Sequence, residues 1–275
     1  MLRNDSFDAP EARPPAPWRG GKRFLSRTIV PILDRHPHVS YVEPFLGMGG
    51  IFLRRRTARR IEVVNDRSRD VATLFRIVQR HLPQFLDVLR FQLTSRAEFD
   101  RLREVDPTSL TDLERAARFL YLQRLAYGGK AVGQNFGTGC RTPARFNLTT
   151  VERDLQDLHE RLAGVVVECL DWAEVIDRYD QEHALFYLDP PYWGGEEDYG
   201  KGVFAREDFA RIAERLRALR GAFLLSLGDR PEVREVFEGF PMREVSAPYT
   251  LGTRAGQRTG HAPELLIASE GVLQS

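Results

Sequence analysis

The stretch FYLDPPYWGG, from Phe186 to Gly195, ends an apolar run with a carboxylate, two prolines and two aromatic side chains. The apolar run predicts a buried strand, so Asp189 would lie at its carboxyl end, where open α/β sheets bind ligands. Pro190 and Pro191 lack backbone donors and stiffen the turn. The Asp189 carboxylate and the Pro190 carbonyl could accept two hydrogen bonds from one amino group, while Tyr192 stacks on the attached ring. The motif predicts a pocket for an aromatic amine, with a capped proline-rich loop as the structural alternative.

A second candidate is the glycine-rich segment PFLGMGG, from Pro44 to Gly50, where a predicted strand gives way to a predicted helix. Glycine has no side chain to keep a ligand away from the backbone of such a turn. Asp66 closes the next strand about 20 residues later, where an acid can accept hydrogen bonds from both hydroxyls of a ribose. Gly47 and Gly49 match the fingerprint G-x-G-x-x-G, but Phe52 takes the third position, which weakens a pyrophosphate-binding interpretation. A tight turn without a ligand is the alternative.

Alternating strands and helices would position both motifs. Strand patterns occur at VSYVE, RRIEVVND, VVVECLD, ALFYLD and GAFLLSLG, and two further strands joined by a polar loop follow near the end of the sequence. Helical patterns separate the earlier strands, an order typical of a parallel α/β sheet. From about residue 83 to 162 the pattern is mostly helical, with a glycine-rich stretch inside it. This change predicts a helical insert in an α/β core.

Length and composition narrow the possible classes of protein. The chain has 275 residues, a net charge of +1 and two cysteines, Cys140 and Cys169, which lack metal-ligand spacing. Few cysteines argue against a disulfide scaffold or a zinc site and are typical of a reducing cytoplasm. The apolar runs are too short to span a bilayer. Residues 1–17, rich in Pro, Asp, Glu and Arg, predict a flexible tail.

Four short motifs occur in order along the chain: WRGGK (Trp18 to Lys22), PFLGMGG, the pair Asn65–Asp66, and DPPY (Asp189 to Tyr192). With a helical insert between the third and the fourth, the chain resembles the Dam-like, alpha-class DNA adenine-N6 methyltransferases. The segment FLYLQRLAYGGKAVGQNFG in the insert resembles phage and prophage members in particular. The similarity covers most of the chain from Trp18 to about Ser269, and the four motifs are specific together where each alone is not.

The resemblance implies an α/β fold: a Rossmann-like sheet of a methyltransferase that depends on S-adenosyl-L-methionine (SAM), with an inserted, mostly helical target-recognition domain. The catalytic domain would comprise residues 18–80 and 164–275, the insert residues 81–163, and the tail residues 1–17. SAM would be the cofactor, with no metal, and double-stranded DNA would be the partner. We expect a cytoplasmic monomer that contacts no membrane.

The resemblance also implies catalytic roles for Asp189, Pro190, Pro191 and Tyr192. The adenine N6 lone pair is delocalised into the ring and is a poor nucleophile. Hydrogen bonds from N6–H to Asp189 and the Pro190 carbonyl would aim that lone pair and stabilise the positive charge that grows on N6. The target base must leave the duplex to be reached, and it would stack on Tyr192.

The cofactor contacts that the resemblance implies come from the motifs and from one further strand end. An aromatic ring and a cation at Trp18 and Lys22 suit a zwitterionic ligand that carries a sulfonium. Asp66 would bind the ribose hydroxyls, and Asp171 would meet the cofactor's adenine, although an acid after a strand is often a helix cap. The predicted cofactor-binding residues are Trp18, Gly21, Lys22, Phe45, Gly47, Gly49, Asp66, Asp171 and Asp189.

Basic residues concentrate in the insert, where Arg115–Val151 holds six basic residues and no acidic one. A basic, glycine-rich segment with interleaved aromatic residues suits phosphate contacts and base recognition, although a solvated surface is the alternative. A second basic run, Arg54–Arg60, is interpreted instead as cations at a helix C-terminus. The loop Gly252–Pro263, with Arg254 and Arg258, is a further candidate for contact with the DNA backbone. The predicted DNA-binding residues are Arg118, Arg124, Tyr127, Lys130, Asn135, Arg141 and Arg145.

Three hypotheses for function follow. The first is a SAM-dependent DNA adenine-N6 methyltransferase, and the second is the same fold acting on cytosine N4 or on RNA adenine. The third is a catalytically silent DNA-binding relative. The motif order and the aspartate of DPPY favour the first, and the intact Trp18, Lys22 and Asp189 argue against the third. Phe52 argues against a nicotinamide dehydrogenase, and Gly228 departs from the asparagine that we expect in related phage enzymes.

Overall fold

A computed structural model describes residues 6–137, 145–200, 202–248 and 261–274. Its strands in chain order are β1 (Ser6–Asp8), β2 (Ser40–Glu43), β3 (Thr57–Arg59), β4 (Ile61–Asn65), β5 (Val166–Glu168), β6 (Ala184–Leu188), β7 (Ala222–Gly228), β8 (Met242–Pro248) and β9 (His261–Ala268). Its helices are α1 (Ser26–Arg35), α2 (Arg69–Leu89), α3 (Arg96–Glu104), α4 (Asp112–Leu125), α5 (Leu148–Arg161), α6 (Trp172–Tyr179), α7 (Asp208–Ala218) and α8 (Pro231–Val236).

Seven strands form one sheet in the order β5-β4-β2-β6-β7-β9-β8. The first five are parallel, β9 runs antiparallel to β7, and β8 runs antiparallel to β9. The predicted α/β class and Rossmann-like sheet are confirmed. Because β4 and β6 flank β2 in parallel, the segments that follow these three strands leave the sheet at the same edge.

The sheet is buried on both faces, and β6 shows how. Leu185 and Tyr187 belong to a core cluster that includes residues of α1 and α2, whereas Phe186 and Leu188 belong to a second cluster with α6 and α7. Successive side chains of a strand point to opposite faces, so a strand covered on both sides must be apolar throughout. The continuous apolar run before Asp189 reflects this double coverage.

The helical insert is packed onto the sheet domain. Helix α2 runs across the predicted boundary at residue 80, with a non-helical residue, His81, two positions before Pro83. The first core cluster joins sheet residues to residues of α4 and α5, and Arg161 of α5 forms an ion pair with Glu62 of β4 at 2.7 Å. The division into a catalytic domain and a recognition insert therefore stays a functional prediction. Within the described ranges, no helix is long and apolar enough to cross a membrane.

The N-terminal segment is ordered, so the predicted flexible tail is wrong for residues 6–17. Strand β1 pairs antiparallel with β3, and Ala12 and Ala16 are buried. The carbonyl of Pro15 accepts a hydrogen bond from Arg124, and that of Pro17 accepts one from Gln123. A proline-rich segment is pre-set to an extended shape, and these side-chain donors from α4 satisfy its carbonyls.

The helix predicted after the glycine loop is also wrong. The chain makes one short 3₁₀ turn, Phe52–Arg54, and then enters β3. Phe52 is fully buried, and the Arg161 guanidinium lies 3.8 Å from its ring centroid. The third glycine of the G-x-G-x-x-G fingerprint serves close packing of a helix on the strand. No helix follows the loop here, so the large Phe52 side chain can occupy that position.

The basic run Arg54–Arg60 consequently does not cap a helix. The Arg55 side chain is fully buried, and it pairs with Asp34 at 3.2 Å and with Glu62 at 3.0 Å. Its guanidinium also lies 3.6 Å from the centroid of the Tyr41 ring. A buried arginine needs such paired and planar partners, and here they hold the segment before β3 against α1 and β4.

Candidate cofactor and base site

The carboxyl ends of β2, β4 and β6 open into a cavity of about 1900 Å³, larger than the usual pocket for a single small ligand. The predicted catalytic and cofactor residues that line it are Trp18, Gly21, Lys22, Phe45, Gly47, Asp66, Asp189, Pro191 and Tyr192. Pro190 is buried next to this lining, and Gly49 packs on Leu53. The sheet topology thus brings together residues that lie far apart in the sequence.

Lys22 is the centre of a buried polar network. Its ammonium donates to Asp189 Oδ1 at 2.5 Å, to the Tyr192 hydroxyl at 2.8 Å and to the Gly20 carbonyl at 3.3 Å. The residue is 4% exposed, and all three of its donors are used. Burial works to lower the pKa of Lys22, but the carboxylates of Asp189 and Glu264 outweigh it, so the pKa lies above its usual value. Lys22 is therefore a fixed cation.

One carboxylate oxygen of Asp189 is available to a ligand. Its Oδ1 accepts from Lys22 and, at 3.2 Å, from the Ser226 hydroxyl. In the described part of the chain, its recorded hydrogen bonds all end on Oδ1, which leaves Oδ2 available as an acceptor. Burial raises the pKa of Asp189, and Lys22 offsets part of that rise. The ionised form of this carboxylate thus depends on its neighbouring cation.

Tyr192 is held at its hydroxyl from two sides. The hydroxyl accepts from Lys22 and donates to both carboxylate oxygens of Glu264, at 2.6 and 2.5 Å. Glu264 lies on β9, is 7% exposed and lines the same cavity. Glu264 lies outside the four sequence motifs and outside the predicted site residues. Its one signal in the sequence is an acid that interrupts the otherwise apolar strand APELLIA.

Asp66 ties the glycine loop to the start of α2. Its Oδ2 accepts from the Gly47 N–H and its Oδ1 from the Ser68 N–H, both at 2.8 Å. Burial raises the pKa of Asp66 to about 6, although the two N–H donors work to lower it. A carboxylate oxygen can accept more than one hydrogen bond, so both oxygens still have room for hydroxyl donors.

The absence of a side chain at Gly47 leaves room for the Trp18 ring as well as for a ligand. Its φ is +52°, and an added Cβ would lie 2.6 Å from Nε1 of Trp18. The Trp18 ring in turn stacks on Tyr199 with centroids 5.5 Å apart. Arg19 donates its N–H to the Gly129 carbonyl in the insert. The WRGGK segment therefore connects the glycine loop with the insert.

Replacing Gly47 with alanine is expected to destabilise the protein by about 1–3 kcal/mol more than replacing Gly164 with alanine. Gly164 has φ of +78° and an added Cβ there would meet nothing within 4 Å, so this control carries the backbone strain without the clash with Trp18. Chemical denaturation measures both losses of stability. Equal losses in the two variants would contradict the inferred contact.

Three aromatic residues form a packed cluster in the wall of the cavity that Asp66 also lines. Phe45 stacks on Trp172 with centroids 6.3 Å apart and meets Phe204 edge to face at 6.0 Å, and all three line the cavity. Such an aromatic surface suits contact with a planar ring system. Asp171 caps helix α6 by accepting from Ala173 N, and it pairs with Arg67 at 2.7 Å. Both of its oxygens have partners, and its contact with a cofactor stays a prediction.

Trp193 packs rather than closes over the cavity. Its ring lies 4.9 Å from that of Phe209, and the Arg206 guanidinium lies 4.1 Å from its centroid. Arg206 also pairs with Glu196 at 2.6 Å. These contacts hold the chain that follows Tyr192 against α7.

Two of the predicted DNA-binding arginines are engaged inside the protein. Arg124 donates to the carbonyls of Pro15 and Arg145 and pairs with Asp154 at 3.4 Å. Arg118 donates to the carbonyls of Leu102 and Arg103 at 2.7 and 3.2 Å. Burial lowers the pKa of both guanidiniums. We therefore leave Arg118 and Arg124 out of the DNA surface proposed below.

The other predicted DNA-binding residues are more accessible. Tyr127 is 63% exposed and lines the cavity together with the exposed Arg145. Tyr127 N–H donates to the carbonyl of Asn135, which is exposed, and Lys130 is half-buried in the turn between them. Arg141 lies outside the described residues, as do Arg254 and Arg258 of the other candidate loop.

The sequence model of the D12 class N6 adenine-specific DNA methyltransferases matches residues 18–251, which include all four motifs around the cavity. The chain belongs to this family. The D12 class is defined by methylation of adenine N6 in DNA, so the first hypothesis is confirmed. The substrates cytosine N4 and RNA adenine lose their support.

The similarity to individual D12-class relatives covers nearly the whole chain. Type II methyltransferase M.MjaIII of Methanocaldococcus jannaschii is 23% identical over 94% of this chain and 99% of its own. Type II methyltransferase M1.LlaDCHI of Lactococcus lactis subsp. cremoris is 26% identical over 94% and 96%. A DNA adenine methylase of Salmonella typhi is 28% identical over 93% and 95%. The predicted resemblance to Dam-like enzymes is confirmed.

Proposed function

We propose that this D12-class enzyme methylates adenine in duplex DNA with SAM as the methyl donor, and that donor and base share the 1900 Å³ cavity. The observation that carries the proposal is that Asp189 and Tyr192 line the same cavity as Gly47 and Asp66, which are hydrogen-bonded to each other. An amine-binding motif and a nucleoside-binding motif thus open into one space. We further propose that the protein acts as a monomer and that its reaction uses no metal.

The residues at the floor of the cavity fit SAM chemically. Asp66 offers acceptors for ribose hydroxyls, and the cavity-facing surface of the Phe45, Trp172 and Phe204 cluster offers apolar contact for a planar adenine. Lys22 and Asp189 would act on the zwitterionic amino acid of SAM through their charges, since the three Lys22 donors are engaged and Asp189 Oδ2 is assigned to the substrate amine. When bound, SAM supplies a methyl group already activated by its sulfonium. The protein's own task is then to orient the acceptor amine.

Asp189 and Pro190 would orient that amine. We assign Asp189 Oδ2 and the Pro190 carbonyl as acceptors for the two N6 hydrogens, because Oδ1 is already held by Lys22. These hydrogen bonds favour a tetrahedral N6 and stabilise the positive charge that develops on it. Lys22 serves the reaction by keeping Asp189 ionised in a buried site.

The target adenine has to be turned out of the helix to reach this carboxylate, since N6 is paired inside the duplex. Tyr192 offers the stacking face, and the Lys22 ammonium lies 4.6 Å from its ring centroid. The cavity extends from Tyr192 to Tyr127 and Arg145 of the insert. This continuity supports a DNA path along the insert, with Tyr127, Lys130, Asn135, Arg141 and Arg145 as the proposed contacts.

Replacing Arg145 with alanine is expected to weaken DNA binding and to reduce the slope of log affinity against log salt by about 1, as for one lost phosphate contact. Replacing Arg118 with alanine should leave that slope unchanged and lower the melting temperature instead, since its donors go to internal carbonyls. Fluorescence anisotropy with duplex DNA over a range of salt measures both slopes. A slope that falls equally in both variants would refute the proposed surface.

The enzyme's product gives the direct test of the proposed function. Purified protein is incubated with SAM and with duplex DNA of varied sequence, and the digested nucleosides are analysed by mass spectrometry. We expect N6-methyladenine that depends on added SAM. Methylation confined to single strands, or a product that forms without SAM, would overturn the proposal. Single-molecule sequencing of a plasmid from cells that express the protein would supply the recognition sequence.

A further inference from the structure

Glu264 is a buried carboxylate in an apolar strand, a position that is unfavourable for a charged group without compensating interactions. It is on β9 between apolar neighbours of the sheet, and the following residues Leu265 and Leu266 are fully buried. Burying a carboxylate is costly when it is not paired and hydrogen-bonded. Glu264 has a single recorded hydrogen-bond partner in the described ranges, the Tyr192 hydroxyl, and its charge is offset by Lys22.

The strand register places Glu264 and an open glycine side by side under Tyr192. Gly228 on β7 lies directly opposite Glu264 on β9. A Cβ added at Gly228 would lie 3.6 Å from the Tyr192 ring, an ordinary contact distance. The ring therefore lies over a position without a side chain, and its hydroxyl is fixed by Glu264 and Lys22. Its orientation is set at the hydroxyl end.

We propose that Glu264 is a positioning residue for methyl transfer, which acts by holding Tyr192 in the orientation on which the target base stacks. The inference rests on the proposed function, because it assumes that the base stacks on Tyr192. The hydroxyl accepts from Lys22, so its own proton is directed to Glu264. Rotation of the ring away from the cavity would break both contacts at once.

The test is a double-mutant cycle with Glu264→Gln, Tyr192→Phe and the combined variant. Glu264→Gln replaces the charged acceptor with a neutral amide, and Tyr192→Phe removes the hydroxyl that contacts both Glu264 and Lys22; both keep the size of the side chain. We expect each single variant to lower kcat by about 10-fold or more, as for one weakened or lost hydrogen bond to a charged group. The combined variant should be no slower than Tyr192→Phe, since the charge at position 264 has no hydroxyl left to hold. The affinity for duplex DNA should change by less than about 3-fold, because phosphate contacts dominate it, and so should the affinity for SAM, because neither residue is a predicted cofactor contact.

The outcomes separate this inference from the proposed function. If the parent enzyme methylates duplex DNA but the two effects on kcat multiply, Glu264 does not act through Tyr192 and the inference fails. Unchanged kcat in Glu264→Gln overturns it as well, as does a fall in SAM affinity that matches the fall in kcat. If Glu264→Gln does not fold, Tyr192→Phe alone must show the loss of kcat with DNA affinity retained. A parent enzyme without activity on duplex DNA would instead contradict the proposed function.

Discussion

Replacing Asp189 with alanine is expected to slow methyl transfer to DNA by on the order of 10²–10³-fold, the usual cost of losing one preorganised group that stabilises charge in a transition state. The Oδ2 atom that would receive the N6 hydrogen is lost. Lys22 keeps its hydrogen bonds to Tyr192 and to the Gly20 carbonyl, so much of the SAM affinity should remain. Single-turnover transfer of labelled methyl groups measures the rate, and calorimetric titration with SAM measures the affinity.

Ser226→Ala is the matched control for this experiment. The Ser226 hydroxyl donates to Oδ1 of Asp189 at 3.2 Å and contacts the Tyr187 hydroxyl at 2.8 Å, so its removal disturbs the same pocket but leaves Oδ2 in place. We expect this control to retain activity within about 10-fold of the parent, as for one lost neutral hydrogen bond. An Asp189→Ala enzyme as active as the Ser226→Ala control would refute the role assigned to Asp189.

The parts of this fold that the sequence predicted are those with strong local patterns. The apolar runs of β4, β6 and β7 were identified, and with them the positions of Asp66 and Asp189 at strand ends. Parallel order then brings these ends together, because strands that alternate with helices leave the sheet at one edge. A local pattern and one topological rule were sufficient to locate most of the candidate site.

The predictions that the structure contradicts concern residues whose partners lie far away in the sequence. The run that contains Arg55 is interpreted from the sequence as cations at a helix C-terminus, because its partners Asp34 and Glu62 lie outside any local window. Residues 6–17 have no periodic pattern, and their order depends on side chains of α4, including Gln123 and Arg124. Composition predicts disorder for such a segment, but composition does not register donors supplied by the rest of the fold.

Glu264 was missed for a related reason. A single acid in an apolar strand is ambiguous, since edge strands commonly carry charges on one face. Its partner Tyr192 lies 72 residues earlier in the sequence. The two meet because β9 adds to the sheet next to β7, and neither residue pattern nor spacing indicates that pairing. The antiparallel end of the sheet is thus part of the candidate site, although the motifs lie on the parallel strands and their loops.

Replacing Lys22 with methionine is expected to weaken SAM binding, because a positive charge is lost from the cavity, and to lower the free energy of unfolding at neutral pH by about 3–5 kcal/mol, the usual cost of breaking a buried ion pair. Methionine keeps the length and the apolar stem of lysine, so packing is largely retained. Asp189 and Glu264 would then face each other in a buried site without a cation. The pKa of both, already raised by burial, should rise further.

The sign of the pH dependence distinguishes this electrostatic loss from a loss of packing. When the pKa of Asp189 is higher in the folded than in the unfolded chain, the folded state binds more protons between the two values. The free energy of unfolding of Lys22→Met should therefore increase as the pH falls through that window, so the deficit relative to the parent is largest above it. Lys130→Met, at a half-buried lysine for which no ion pair is recorded among the described residues, should follow the parent at every pH. Urea denaturation of the three proteins from pH 5 to 8 would show this, and a deficit for Lys22→Met that does not change with pH would mean that packing, not the buried charges, requires the lysine.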